Sequence, residues 1–219
     1  MYKQLSLVAI LVLLLTAIGL TPQVQAARLE FMSPVNPGAN VYRYQGEVAT
    51  AFFSSSDSCI YTDAYLFAGE NTAKAGPGAP TKSKSARISI YRYDGCNGIW
   101  LSSAYGETQL DGASLQLDGQ LNSARLQTTV NLIDGNSGAS SALAVDLTWT
   151  GIGDLKRSKS QYQYESAGCK VKGRFNGDYR AATLTGSMSD GATNYAANAP
   201  LYADLQSMKS GEMNVGCGW

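Results

Sequence analysis

The sequence predicts an all-β chain, a single antiparallel β-sandwich or barrel-like domain of roughly 10 to 12 strands with two disulfides. Three observations carry this. The first is strict alternation of apolar and polar residues, a period of two that marks a half-buried strand. It reads Leu115, Leu117, Gly119, Leu121, then Leu126, Thr128, Val130, Leu132, then Leu143, Val145, Leu147, Trp149. The second is the recurrence of Asp-Gly or Asn-Gly, starting at Asp94, Asn97, Asp111, Asp118, Asp134, Asn176 and Asp190. These are turn dipeptides, because Asn and Asp tolerate left-handed backbone and Gly adopts it freely. The third is an even set of cysteines, Cys59, Cys96, Cys169 and Cys217, all downstream of an export-type leader.

That leader is residues 1–26: Lys3 supplies a positive start, Leu5 to Leu20 an apolar run, and Val24-Gln25-Ala26 a small-residue cleavage site. The apolar run falls short of the roughly 20 residues that span a bilayer, so cleavage is expected and no membrane segment is expected afterwards. Residues 27–219 then form one domain.

Taken in order, Arg28 to Asn40 holds Pro34, Pro37 and Gly38 and reads as a lead-in. Val41 to Ser54 reads as one bent strand or a strand pair around Gly46, and Cys59 to Ala68 as a strand covered on both faces. Residues 69–85 gather Gly, Pro, Lys and Ser without periodicity and are expected as a long exposed loop. Ala86 to Tyr93 is a strand, Asp94 to Gly98 a turn, and Ile99 to Tyr105 its return. A two-residue turn at Asn122-Ser123 would put Leu121 opposite Ala124 and Leu115 opposite Val130, with every leucine on one face. Asp134 to Ser141 is a Gly/Ser loop and Gly151 to Ser160 another, with a strand from Gln161 to Ser166. Phe175-Asn176-Gly177-Asp178 predicts a tight hairpin. Leu201 to Met208 fits a strand or a short helix, and Met213 to Trp219 alternates as a closing strand. The expected disulfides, Cys59 with Cys96 and Cys169 with Cys217, each join neighbouring segments of such a meander.

Composition excludes more than it selects. The chain has no histidine, which removes Ser-His-Asp and Cys-His nucleophiles and nearly all zinc and copper sites; no cofactor and no metal are expected. Lys and Arg total 17 against 17 acidic residues, so no global field favours nucleic acid. Asp134-Gly135-Asn136-Ser137-Gly138 offers oxygen ligands for Ca²⁺ but lacks a closing bidentate Glu, and a plain turn accounts for it.

Two surfaces are candidates for binding. Lys170, Lys172 and Arg174 alternate along one strand, beside Tyr179, and could meet an anionic polymer; a solvated strand that discourages edge pairing explains them as well. The pairs Tyr91/Tyr93 and Tyr162/Tyr164, with Tyr42/Tyr44, could stack on sugar rings, although tyrosine is also simply a good strand residue. Among acids, Asp63, Asp146, Glu165 and Asp204 lie inside strand-like runs and would be the ones to serve catalysis. The resulting expectation is a secreted or surface-associated, non-enzymatic domain that binds extracellular carbohydrate, an anionic envelope polymer or another surface protein. A carbohydrate-active enzyme using carboxylates or Tyr and Arg, and an adhesive protein without a small ligand, are the alternatives.

Overall fold

A computed structural model describes residues 41–166 and 169–217; the expected leader 1–26 and the lead-in lie outside them. Ten strands follow in order: β1 (Val41–Asp57), β2 (Ile60–Ala75), β3 (Thr81–Asp94), β4 (Ile99–Gln109), β5 (Leu115–Leu117), β6 (Ser123–Asp134), β7 (Ser140–Gly151), β8 (Lys156–Ser166), β9 (Cys169–Ser189) and β10 (Tyr202–Cys217). Every pairing is antiparallel, and no helix occurs among the described residues.

The choice between sandwich and barrel is settled by pairing. The sheet runs β1-β2-β3-β4-β6-β7-β9, and β10 hydrogen-bonds to both β9 and β1, which closes a ring. β5 pairs outside the ring with β6, and β8 with β9. An eight-stranded ring has an interior that side chains just fill. Here they are Ala49, Ala51 and Phe53 from β1, Leu66 from β2, Ile88 and Ile90 from β3, Val130 and Leu132 from β6, Leu143, Leu147 and Trp149 from β7, Met188 from β9 and Leu205 from β10. Outward positions of β6 such as Arg125, Gln127, Thr129 and Asn131 are polar, and all four are exposed. On β6 the apolar side thus faces in and the polar side out, the reverse of a lipid-facing strand. No helix among the described residues is long and apolar enough to cross a membrane.

Several expectations are corrected. Residues 69–85 are not a long loop: β2 continues to Ala75, β3 begins at Thr81, and only a short turn separates them. The strand was hidden because the buried positions are small or polar, Asn71, Ala73 and Ala75, rather than bulky apolar residues. They also lie on the opposite face from Leu66 and Ala68, since the buried side of β2 switches at Gly69.

Asn176-Gly177 makes no hairpin, and β9 passes straight through it for 21 residues. The pair lies opposite the irregularity at Lys209, where the β9–β10 register shifts between Met208 and Ser210. Gly177 serves close approach instead of a turn: a Cβ there would sit 2.0 Å from the Ser207 carbonyl oxygen. β8 likewise starts at Lys156, inside the expected loop, because it finds β9 as a partner.

The β5–β6 turn starts at Asp118, with Leu115 opposite Leu126 and Leu117 opposite Ala124. Leu121 still reaches the core, at 2 % exposure, because it adopts a left-handed backbone (φ 58°) within the turn itself. The turn expected at Asn122-Ser123 is thus not what brings Leu121 inward.

One disulfide is described, Cys59–Cys96, rather than two. Cys169 and Cys217 are directly opposite each other in the β9–β10 register, and Cys169 is disulfide-bonded; the side chain of Cys217 lies outside the described residues.

Candidate functional site

The outer face of β1 to β4 is built by alternation. Ala51 and Phe53 point into the barrel, so Phe52 points out; Leu66 points in, so Tyr65 and Phe67 point out; Ile88 and Ile90 point in, so Tyr91 points out. Register then aligns these side chains across strands, with Phe52 opposite Tyr65 and Tyr61 opposite Tyr93. In β4 the pairing with β3 shifts between Arg92 and Tyr93, which leaves Leu101 as an extra residue and sets Trp100 opposite Tyr93. Such a bulge re-aims side chains that regular pairing would place elsewhere.

The product is a continuous strip of rings. Phe52 stacks on Tyr65 at 4.5 Å, Tyr65 meets Tyr91 edge to face at 6.0 Å, Tyr91 meets Trp100 at 6.2 Å, and Trp100 packs against Tyr93 at 5.4 Å. Trp100 is 69 % exposed, Tyr61 47 % and Tyr91 38 %. The rings lie side by side as a contiguous patch rather than as scattered single residues.

Covalent and hydrogen-bonded bracing holds the far end. Cys59, between β1 and β2, is bridged to Cys96, between β3 and β4, so both hairpin turns are one unit. Gly95 leaves room for the Tyr61 ring, since a Cβ there would meet Cε2 at 2.6 Å. Asp94 accepts hydrogen bonds from the Asn97 side chain and from the Asn97 and Cys96 backbone N–H groups. The Asn97 amide, then the backbone bonds, hold the Asp94 carboxyl below the ordinary range.

The other residues singled out from the sequence lie elsewhere. Lys170, Lys172 and Arg174 are exposed along β9, but acids from flanking strands interleave with them: Glu165 lies 3.9 Å from Lys170, and Glu212 is the register partner of Arg174. Glu212 also pairs with Arg43 at 3.3 Å. Tyr179 is half-buried with Lys156 6.0 Å from its ring centroid. Tyr162 lies over Gly173 and stacks on Phe175 at 5.5 Å, so it packs rather than projects; the side chain of Tyr164 is outside the described residues. Tyr42 and Tyr44 are buried at 3 % exposure. Asp134 accepts the Asn136 and Ser137 N–H groups and the Ser137 hydroxyl, which is an ordinary turn.

Of the acids expected within strands, Asp146 pairs with Arg125 at 3.5 Å and Glu165 with Lys170. Asp204 is buried and accepts hydrogen bonds from Thr50, Tyr202 and Gln206. Asp63 faces the aromatic strip as the register partner of Tyr91. The acids that do meet are Glu47 and Glu70, direct partners on β1 and β2 at one mouth of the barrel. Sequence reasoning missed them, although each is an acid placed at an inward position of its strand. Lys84 lies 3.4 Å from Glu70, and the Asp118-Gly119 turn sits against Glu47.

Burial first, then Glu70 and Asp118, push the Glu47 carboxyl above its ordinary value. The folded state therefore favours the protonated form, and the stability tied to that proton is lost as pH rises through the folded value. The expected result is that Glu47→Gln raises unfolding free energy at neutral pH by about 0.2–1 kcal/mol, the worth of relieving a cross-strand like-charge pair. The gain vanishes well below the carboxylate range, where Glu47 is protonated in both states. Urea titrations at the two pH values check this, and an equal gain at both would show that charge is not its origin.

No protein-family model matches the chain, and no curated protein or solved structure matches it. Fold and surface together define a closed, side-chain-filled antiparallel barrel with an aromatic strip across its outside.

Proposed function

We propose that this is an exported, non-enzymatic binding module that holds an extracellular polymer, with carbohydrate as the ligand class, against the outer face of β1 to β4. The observation that carries this reading is the run of rings Phe52, Tyr65, Tyr91 and Trp100. An aromatic ring offers a sugar its apolar face and, in tyrosine, a hydroxyl at the edge. The Cys59–Cys96 disulfide is consistent with an oxidising, extracellular compartment. Residues 1–26 have the composition of an export leader.

The basic face of β9 is the weaker binding surface because Glu165 and Glu212 lie among its cations. Carboxylate catalysis has Glu47 and Glu70 in its favour, yet Lys84 already compensates Glu70 and a turn lies against Glu47. A glycan and polysaccharide array with the oxidised protein tests the reading. The expected result is binding that Trp100→Ala reduces by about tenfold or more, as for a central aromatic anchor. Absence of binding to every polymer on the array would overturn the proposal.

A further inference from the structure

We infer that the strip takes a single soluble chain of an uncharged glycan laid across the strands, in preference to an anionic polymer or a crystalline surface. This rests on the proposed binding role of the same face and adds the ligand's charge, its direction and its physical state. Direction follows from placement: Phe52, Tyr65, Tyr91 and Trp100 come from four successive strands, and register sets Tyr91 two residues and Trp100 four residues along from the level of Phe52 and Tyr65, so the rings run obliquely across the strands. The ring-to-ring steps of 4.5, 6.0 and 6.2 Å make that path long enough for a short run of pyranose rings.

Charge follows from what shares the face. The cation there, Arg87, is paired with Glu107 at 3.0 Å. Arg92 points to the opposite side of β3, as the register partner of Thr62 and Ser102, and acts electrostatically on Tyr195. Asp63 stands in the strip, on the same face as its register partner Tyr91. The local field is therefore negative, which repels uronates and sulfates, while carboxylate and tyrosine oxygens can accept hydrogen bonds from neutral sugar hydroxyls. Ser54, Ser89 and Ser103, outward on β1, β3 and β4, add further hydroxyls.

Physical state follows from ring orientation. Tyr65 and Tyr91 are inclined at 74° and Tyr91 and Trp100 at 73°. A flat crystal face can touch only coplanar rings together, whereas a single chain twists from one sugar to the next and can follow inclined ones.

Affinity electrophoresis and calorimetry with hydroxyethylcellulose, a soluble galactomannan, alginate, heparin and microcrystalline cellulose test this. The expected result is binding to one of the soluble neutral polymers, unchanged between low and physiological salt. Trp100→Ala weakens it about tenfold and Asp63→Asn severalfold, and Lys170→Gln/Lys172→Gln leaves it as it was. Salt-sensitive binding to alginate or heparin, or binding to the crystalline form alone, overturns this inference while the carbohydrate-binding role stands. No binding to any polymer, with Trp100-dependent self-association in light scattering, overturns both.

Discussion

Replacing Trp149 by alanine is expected to lower the unfolding free energy by about 3–5 kcal/mol, the usual cost of deleting a large buried aromatic. Trp149 is fully buried on β7, and its indole N–H donates to the Thr50 carbonyl oxygen of β1 at 2.8 Å. β7 and β1 are not neighbours in the ring, so this one side chain ties opposite walls across the interior. Trp149→Phe keeps most of the apolar volume and drops the hydrogen bond, so it should cost clearly less, about 1–2 kcal/mol. Urea unfolding of the two variants separates packing from the cross-barrel bond. Equal losses would assign the whole effect to the bond, and a loss below about 1 kcal/mol for alanine would mean that the interior repacks around the void.

The second large effect is expected from Cys59→Ser/Cys96→Ser. The disulfide closes a separation of 37 residues, for which the chain-entropy account gives about 4 kcal/mol. The bridge joins the ends of the β2–β3 hairpin, whose strands already pair from Ile60 with Asp94 to Ala73 with Thr81. Native order therefore survives its loss, and the change should appear as a lower urea midpoint together with a steeper slope, because the uncrosslinked denatured chain exposes more surface. The bridged turns also hold Tyr61 and Trp100, so polymer affinity should fall in the same variant even where it is fully folded. Unchanged affinity in folded protein would show that the strip needs no bracing.

Strands were legible wherever large apolar residues alternate with polar ones, as from Leu143 to Trp149 and from Ile88 to Ile90. They were illegible where small residues do the packing, as at Ala73 and Ala75, because alanine and glycine carry no strong pattern of their own. Asn176-Gly177 misled because the dipeptide permits a tight turn without requiring one, and two long partners held β9 extended. Tyr91 and Tyr93 stood out from the sequence, but their meeting with Trp100 depends on a one-residue bulge that pattern cannot reveal. The Lys170, Lys172, Arg174 row was visible as a basic face, while the acids beside it come from β8 and β10, which only strand pairing brings alongside. Glu47 and Glu70 share that difficulty, since only cross-strand register makes them partners.

The ring is fastened very unevenly. Ladders such as β1–β2 and β6–β7 run the length of their strands, whereas β4 and β6 are joined only through Ala104 with Asp134 and Tyr105 with Ile133. They come close at Gly106, where a Cβ would lie 2.3 Å from the Asn131 carbonyl oxygen. The barrel is in effect one long curved ribbon with a two-rung clasp, and the aromatic strip lies wholly on the ribbon's first four strands. Unfastening the clasp would leave that strip's own register intact while baring two strand edges, so the aromatic face could outlast the closed barrel.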